Sequence, residues 1–592
     1  MKRIRNIICL LLLLMANSCN DRFLNLQPLD QYADGAVWDE DPALIQAFIN
    51  NIYRALGQSG VRVTMSTYTD ETMLTFGWSA DNITRSLISP SDYGRFGNSA
   101  DQSAVYVWEN AYKYIRACNL FFEKIEESQA VDPQQKEAMK GEVYFLRAYL
   151  YHLLVFSYGG IPIIDKAYGL SDEFEVPRNT FKECIDFIIS DLDNAIQRII
   201  ITDKGRPTKG AAMALKSRVL LYAASDLYNT PTWAGGYSNP EYIAYTDNNR
   251  SERWSSAKNA AKEVIDLGIY QLYKENPDPT EDLSKNYGDI FLLNETSEDI
   301  FVKFYTPNVV NGKVMPNLNN GPNGYHLRGA NTPTGQLVDA YPMADGSRFD
   351  WSNPEHAKNP YANREPRFYA SILYDGARWM ERPEDVRNID PIGEIQTSYV
   401  EKRDAAGNIQ TIPGLDTRQS PTDDWNGSYT GYYMRKGIDP SIDAQFVPQT
   451  CPWRFIRYTE IILNYAEACL ALGEEEEAKI YLNKIRKRVG LPALTSSGSK
   501  LMEDLRAERR TELAFEDHRF FDVRRWMTAP STYNDVQGIY IVHKIGPDNS
   551  RTSSYTVLPS VQTREWKDRF YFLPIRLDEM NRNSKLIQNP LY

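Results

Sequence analysis

The sequence predicts a mainly α-helical protein, in which a scaffold of tetratricopeptide-like helical pairs carries a large irregular, loop-rich region. Three observations support this. Apolar residues recur at helical spacing from residue 41 onward. One late pair of helices fits a unit of about 34 residues with Ala and Tyr at its packing positions. Between residues 276 and 450 the helical period gives way to Asn, Gly and Pro.

The chain opens MKRIRNIICLLLLLMANSCNDRF. Its apolar run, Ile7 to Met15, is far shorter than the roughly 20 residues of a membrane-spanning helix. Basic Lys2, Arg3 and Arg5 precede it and small polar residues follow, the pattern of a secretory signal peptide. The small residue before Cys19 points further, to a bacterial lipoprotein signal cleaved before Cys19, whose thiol then carries a lipid. A plain secreted chain with an incidental cysteine is the alternative. The expected organisation is a signal peptide over 1–18, an N-terminal helical region over 19–275 and a C-terminal region over 276–592. That last part divides into the loop-rich insert (276–450) and a helical pair with a closing segment (451–592).

The formal charge is −12, with no block of Lys or Arg outside the signal, so the basic footprint of a nucleic-acid-binding protein is missing. Cys118, Cys184, Cys451 and Cys469 form no C-x-x-C pair; three disulfide pairings are open to them, or burial as free thiols. Five histidines are present, without H-E-x-x-H, G-x-S-x-G, G-x-G-x-x-G or a Walker loop, and no EF-hand pattern occurs. No metal or cofactor is therefore predicted. The 38 Tyr and 11 Trp supply large contact faces with a polar handle.

The helices follow in order. Asp41-Pro42 is a start signal for a stripe of Leu44, Ile45, Phe48, Ile52 and Leu56. Trp108, Tyr112, Ile115, Asn119 and Phe122 form the next, so Trp108 reads as core. The helix after it stops at Gly159-Gly160 and Pro162. Helical patterns recur over 180–199, 208–228 and 253–273. In the late pair, Tyr458, Ile461, Ile462, Tyr465, Ala466 and Cys469 face Tyr481, Leu482, Ile485 and Val489. The units are separated in sequence, which predicts a scaffold with insertions. Within the insert, Tyr305, Tyr325, Trp351, Trp379, Trp425, Tyr429, Tyr432 and Tyr433 keep recurring, as disordered linkers do not; an ordered, irregular layer is expected.

The stretch LRAERRTELAFEDHRFFDVRRW, Leu505 to Trp526, allows two readings. Paired carboxylates could serve general acid–base hydrolysis. Alternatively, one helix uses Arg forks to bridge carboxylates and carbonyls and lock the scaffold. Acids so interleaved with Arg have depressed pKa values, wrong for a general acid, which favours the structural reading.

That stretch resembles the SusD/RagB outer-membrane nutrient-binding lipoproteins of Bacteroidetes. So, in the same order, do SCNDRFLNLQP, YGGIPII, WSSAKNAAKEVIDLGIYQL, RYTEIILNYAEACLALG and the ending FYFLPIRLDEMNRNSKLIQNPLY. The resemblance implies a SusD-like fold of four tetratricopeptide-like units. It also implies non-catalytic binding of a glycan, or sometimes a peptide, at the cell surface. Attachment would be to the outer membrane through a lipid on Cys19, and the partner a SusC-like TonB-dependent transporter that receives the ligand. A peptide-binding lid without carbohydrate affinity, and an exported all-helical glycoside hydrolase, are the competing functions.

Sugar rings offer apolar faces and rims of hydroxyls, so an aromatic plane with Asn, Asp and Arg nearby suits them. Two regions supply both. The first carries Trp78, Asp81, Asn82, Arg85, Tyr93, Arg95 and Phe96, and the resemblance gives it more weight, since the family commonly sites ligand contacts there. The second carries Tyr305, Asn308, Tyr325, His326 and Trp425. The expected ligand-binding residues are Trp78, Asp81, Asn82, Arg85, Tyr93, Phe96, Tyr305, Tyr325 and Trp425, with Trp78 foremost.

Overall fold

The computed structural model describes residues 36–57, 63–77, 81–99, 101–169, 171–306 and 315–592. Cys19, the signal segment, Trp78 and Asn308 lie outside the described residues.

Helix α1 (Pro42–Ile52) begins where the Asp41 carboxylate accepts from the Ala43 N–H at 2.8 Å, and it buries Ile45, Ile49 and Ile52. Helices α2 (Trp108–Ile125) and α3 (Pro133–Tyr158) follow. Gly159 ends α3 with φ of 79°, and a Cβ there would fall 2.3 Å from the Tyr242 carbonyl oxygen; only glycine fits that stop. A Thr180–Glu183 capping box opens α4 (Phe181–Arg198), and α5 (Lys209–Ala224), α6 (Arg250–Asp266) and α7 (Leu283–Leu292) come next. After the loop-rich region stand α8 (Tyr458–Ala471), α9 (Glu475–Arg488), α10 (Gly498–Glu512) and α11 (His518–Arg525).

Each helix from α2 to α5 packs on the next, and α8 then packs directly on α6 and α9 on α8. The pairs that the sequence separates are thus one continuous stack around one large apolar core. Asn119 lies on the buried stripe of α2 because its amide is fully used there. It donates to the carbonyls of Ile164 and Lys166 at 2.8 and 3.2 Å and accepts from Arg147 at 2.8 Å, while Arg147 clamps Asp191 of α4 with two bonds of 2.8 Å. A buried polar group so satisfied ties three helices together.

The irregular layer is ordered around its own smaller apolar clusters, one of which contains Leu337, Tyr341, Phe368 and Ile541 and another Tyr325, Leu373 and Tyr433. Short strands staple it. Strand β1 (Thr72–Leu74) pairs with β3 (Asn331–Pro333), and β2 (Asp299–Lys303) with β6 (Trp453–Arg457). A four-stranded sheet runs in the order β8 (Arg551–Gln562), β7 (Val536–Ile545), β4 (Tyr399–Arg403), β5 (Ile409–Pro413), with β4 parallel to β7. Cys118, Cys184, Cys451 and Cys469 are all free thiols.

The expectation of one helix within Leu505 to Trp526 is corrected. The stretch breaks between α10 and α11, where Phe515 and Asp517 adopt left-handed φ of 66° and 68°. The reason is local. The terminal carbonyl of α10, Glu512 O, accepts from Tyr287 Oη at 2.6 Å, Arg457 Nη2 at 2.9 Å and Lys436 Nζ at 3.1 Å. Three side-chain donors take the place of a further turn.

Candidate ligand-binding site

Four carboxylates of 505–526 are built into the scaffold by ion pairs; the expectation of depressed values is corrected at Asp517, which accepts from Gln102 Nε2 and whose pKa burial and the Glu516 charge push up to about 8. Glu508 meets Arg367 at 2.6 Å and Arg486 at 2.9 Å; Glu512 meets Arg488, Arg457 and Arg367 at 2.6 to 2.9 Å; Glu516 meets Arg457 and Lys436 at 2.7 and 2.8 Å. Asp522 lies between Arg509 and Arg525, 2.9 Å from each. Burial alone would raise the Glu512 pKa, but the charges of Arg488, Arg457 and Arg367 hold it far below the usual carboxylate range. An acid held ionised in this way has no proton to give.

The first aromatic region divides in two. Tyr93 and Phe96 are 7% and 3% exposed. The Tyr93 hydroxyl donates to the Pro574 carbonyl, and Phe96 lies 5.7 Å from Tyr68 and 6.5 Å from Phe520, ring to ring. The expectation that these two contact ligand is therefore corrected: their faces are spent on the core. Asn82 holds the loop in shape, its Nδ2 donating to Asp92 at 3.0 Å while Asp92 accepts from the Gly94 N–H at 2.7 Å. Among the described candidates of this region, Asp81 and Arg85 keep exposed side chains, on the short helix Asp81–Thr84 and just after it.

What joins this region to the second is the segment just before Trp78. Strand β1 pairs with β3, Thr75 N donates to the Ala330 carbonyl at 2.9 Å, and Thr75 Oγ1 donates to that of Gly329 at 2.5 Å. Phe76 then meets Trp425, with ring centroids 5.6 Å apart and planes 21° from parallel. Trp425 remains 58% exposed. The Trp425 ring thus stands open to solvent with Phe76 stacked against it, and Trp78 is next but one after Phe76 in sequence. Phe76 was missed by sequence reasoning; its signal was the aromatic-Gly-aromatic run Phe76-Gly77-Trp78.

The Trp425 loop is pinned beside Tyr325 and His326. Asn426 Nδ2 donates to the Leu327 carbonyl and Asn323 Nδ2 to that of Asp423. Tyr325 is buried, its hydroxyl donating to the Met380 carbonyl at 3.1 Å and its ring 4.0 Å from the Arg382 guanidinium. Arg382 in turn holds Asp390 at 2.8 Å and Asp416 at 2.8 and 2.9 Å, so Tyr325 is a fixed wall with little face to offer. Tyr305 stands at the end of β2, half-buried, with Lys303 Nζ 5.6 Å from its ring.

Next to Tyr325 opens a cleft of about 810 Å³, whose lining includes His326, Glu381, Glu384, Asp385, Arg387 and Phe446. His326 Nδ1 lies 2.6 Å from Asp423 Oδ2, and Nε2 lies 3.0 Å from Asp385 Oδ2. Partial burial would lower the His326 pKa, but hydrogen bonds to Asp423 and Asp385 outweigh it and raise the pKa. The imidazolium so favoured braces the loop that carries Trp425 against the wall of the cleft. Asp385 and Asp423 carried no sequence signal of their own, because only the fold sets them about His326.

A family model described as the SusD family matches residues 297–592, and one described as starch-binding and associating with the outer membrane matches residues 23–221. SusD-like protein P38 of Formosa agariphila is 25% identical over 567 residues, covering 91% of this chain and 95% of that protein. A solved SusD-like protein of Bacteroides fragilis is 30% identical, with a TM-score of 0.74 over 96% of this chain and 100% of that one. A second structure from that organism, described as a SusD-like carbohydrate-binding protein, is 20% identical with a TM-score of 0.70, over 93% of this chain and 100% of that one.

Proposed function

The chain belongs to the SusD family, and from that premise we propose that it binds a glycan without transforming it and delivers it to a partner TonB-dependent outer-membrane transporter. The observation that carries this reading is the Phe76–Trp425 stack. Two rings from distant parts of the chain are held nearly parallel, and the loop that carries Trp425 bonds through Asp423 to His326, in the wall of a cleft rimmed by charged groups. A pyranose lays its C–H face on such a plane and turns its hydroxyls to carboxylates and guanidinium groups. Asp81 and Arg85 follow Trp78, and Asp385 and Arg387 line the cleft, so both polar charges are at hand for hydroxyl donors and acceptors. Trp78, two residues after Phe76 in sequence, is a further sugar contact in this proposal.

The remaining functional reading concerns location. Lipidation of Cys19 anchors the mature chain in the outer membrane, with the glycan site at the cell surface. The description of the second family model, which includes association with the outer membrane, supports this.

The test is a binding screen of the soluble chain begun after Cys19, against starch, fructan, hemicellulose and laminarin by native affinity electrophoresis, with Trp425→Ala and Trp78→Ala alongside. Retardation by one polysaccharide that disappears in Trp425→Ala supports the reading. Retardation unaffected by either variant moves the site elsewhere. No retardation by any carbohydrate shifts the function to a peptide ligand.

A further inference from the structure

On the sheet that flanks the Trp425 loop, a second group of aromatic side chains is gathered. Tyr399 of β4 and Tyr540 of β7 are diagonal neighbours, since Tyr399 pairs with Val542, and their ring centroids lie 5.0 Å apart with planes 34° from parallel. Tyr540 and Tyr429 are each 39% exposed. The Arg418 guanidinium covers the Tyr429 ring at 3.6 Å and donates to the Gly427 carbonyl at 2.9 Å. Its charge also acts on Tyr399. The Tyr399 hydroxyl donates to Gln419 Oε1, and Gln419 is itself exposed. The loop itself is fixed on β7, where Ile539 N donates to the Thr430 carbonyl at 3.0 Å.

Isolated apolar residues on a surface need no explanation. Here three tyrosines, a planar amide and a guanidinium meet on one patch; Tyr399 and Tyr540 come from the sheet, and Arg418, Gln419 and Tyr429 from the two arms of the loop whose middle carries Trp425. A diagonal tyrosine pair contributes to sheet stability by itself. Sheet stability does not require Gln419 and Arg418 at its rim, and those are the groups that answer sugar hydroxyls.

We propose that Tyr399 and Tyr540, with Tyr429, Arg418 and Gln419 at the rim, form a second sugar-stacking subsite that holds a further stretch of the polysaccharide chain bound at the Phe76–Trp425 stack. The proposal rests on the glycan-binding reading above. The loop and the sheet it is fixed on then present two aromatic platforms, which makes the protein prefer polymers to short oligosaccharides, because two weak contacts on one chain reinforce each other.

The probes are laminarin, amylopectin, inulin and arabinoxylan in native gels, followed by titration calorimetry with the trisaccharide of whichever linkage retards the chain. The proteins compared are the wild type, Trp425→Ala, Tyr540→Ala and Tyr540→Phe, with thermal melts of each. Tyr540→Ala is expected to weaken retardation by the polymer about tenfold, the worth of one lost stack, while trisaccharide affinity stays as in the wild type. Tyr540→Phe, which keeps the ring, should restore polymer binding. If Tyr540→Ala melts early, Tyr399→Leu replaces it.

Unchanged polymer retardation in a stably folded Tyr540→Ala overturns the second subsite and leaves the glycan-binding reading standing. Equal loss of trisaccharide and polymer binding also overturns it, since one site then accounts for both. A wild type that no polysaccharide retards overturns the glycan-binding reading and the subsite with it.

Discussion

Trp425 stacks on Phe76 with 5.6 Å between ring centroids, although one ring belongs to the irregular layer and the other to the loop after the first helix. The contact is the point at which the two candidate binding regions become one surface. Trp425→Ala removes the open plane and leaves the core intact. Ligand affinity is expected to fall tenfold or more, with stability changed by at most about 1 kcal/mol, as for other exposed residues. Calorimetric titration with the polysaccharide identified in the screen, beside a thermal melt, checks both halves. A large drop in melting temperature with binding retained would reverse the assignment.

Phe96 makes the opposite case. Packed between Tyr68 and Phe520, it should cost about 3 to 5 kcal/mol on substitution by alanine, as buried Phe does. Ligand affinity of the folded fraction should not change. Urea denaturation measures the first and titration the second; a stable Phe96→Ala that fails to bind would return Phe96 to the site.

Cys19 tests location. Cys19→Ala should move the protein from the membrane fraction to the soluble fraction, because several acyl chains, at about 0.8 kcal/mol per buried CH₂, supply the attachment. Fractionation followed by immunoblotting reads the result, and an unchanged membrane fraction excludes a lipid on Cys19 as the anchor.

Arg457 joins the scaffold to the irregular layer, bonding Glu298 at 2.9 Å, Glu512 at 2.9 Å and Glu516 at 2.7 Å, all of them buried or nearly so. Arg457→Met leaves these three carboxylates to share Arg488, Arg367 and Lys436, one cation short in a low dielectric, and removal of one member of a buried ion network costs about 3 to 5 kcal/mol. Chemical denaturation is expected to show that loss. Stability within 1 kcal/mol of the wild type would mean that water reaches the network and screens it.

Much of the helical scaffold was legible because burial writes a 3.6-residue period into sequence: Ile45 and Ile52 of α1, or Tyr465 and Ile485 of the late pair, fall on buried faces as read. The break at Phe515 and Asp517 was not, since Lys436, Arg457 and Tyr287, which capture the Glu512 carbonyl, come from elsewhere in the chain. The site was legible in composition and illegible in detail for a related reason. Tyr93 and Trp425 look alike in sequence, both aromatic in polar, Gly-containing loops, and only the Pro574 carbonyl that receives the Tyr93 hydroxyl separates them. Short loops carry no period from which burial can be read.

Glu71 provides a prediction in pH. Arg519 grips the adjacent Asp70 with bonds of 2.7 and 2.8 Å, and Arg510 lies 2.7 Å from the same carboxylate, so Asp70 stays ionised. Burial first, and the Asp70 charge second, push the Glu71 pKa up to about 8, against about 4.3 for a free Glu. The folded chain therefore holds the Glu71 proton more tightly than the unfolded chain does. Its contribution to stability is full below about pH 4.3, declines as pH rises, and is gone above about pH 8. Glu71→Gln, a neutral isostere, cannot lose that contribution. Asp517, with a pKa also raised to about 8, and Glu365, raised to about 7, titrate in both proteins, so their effect cancels in the comparison. Thermal melts from pH 5 to pH 9 should show the wild type falling relative to Glu71→Gln, by on the order of 2 °C across the range. Parallel curves would mean that Glu71 is ionised in the fold, and that the Arg510 and Arg519 charges are shared between both carboxylates.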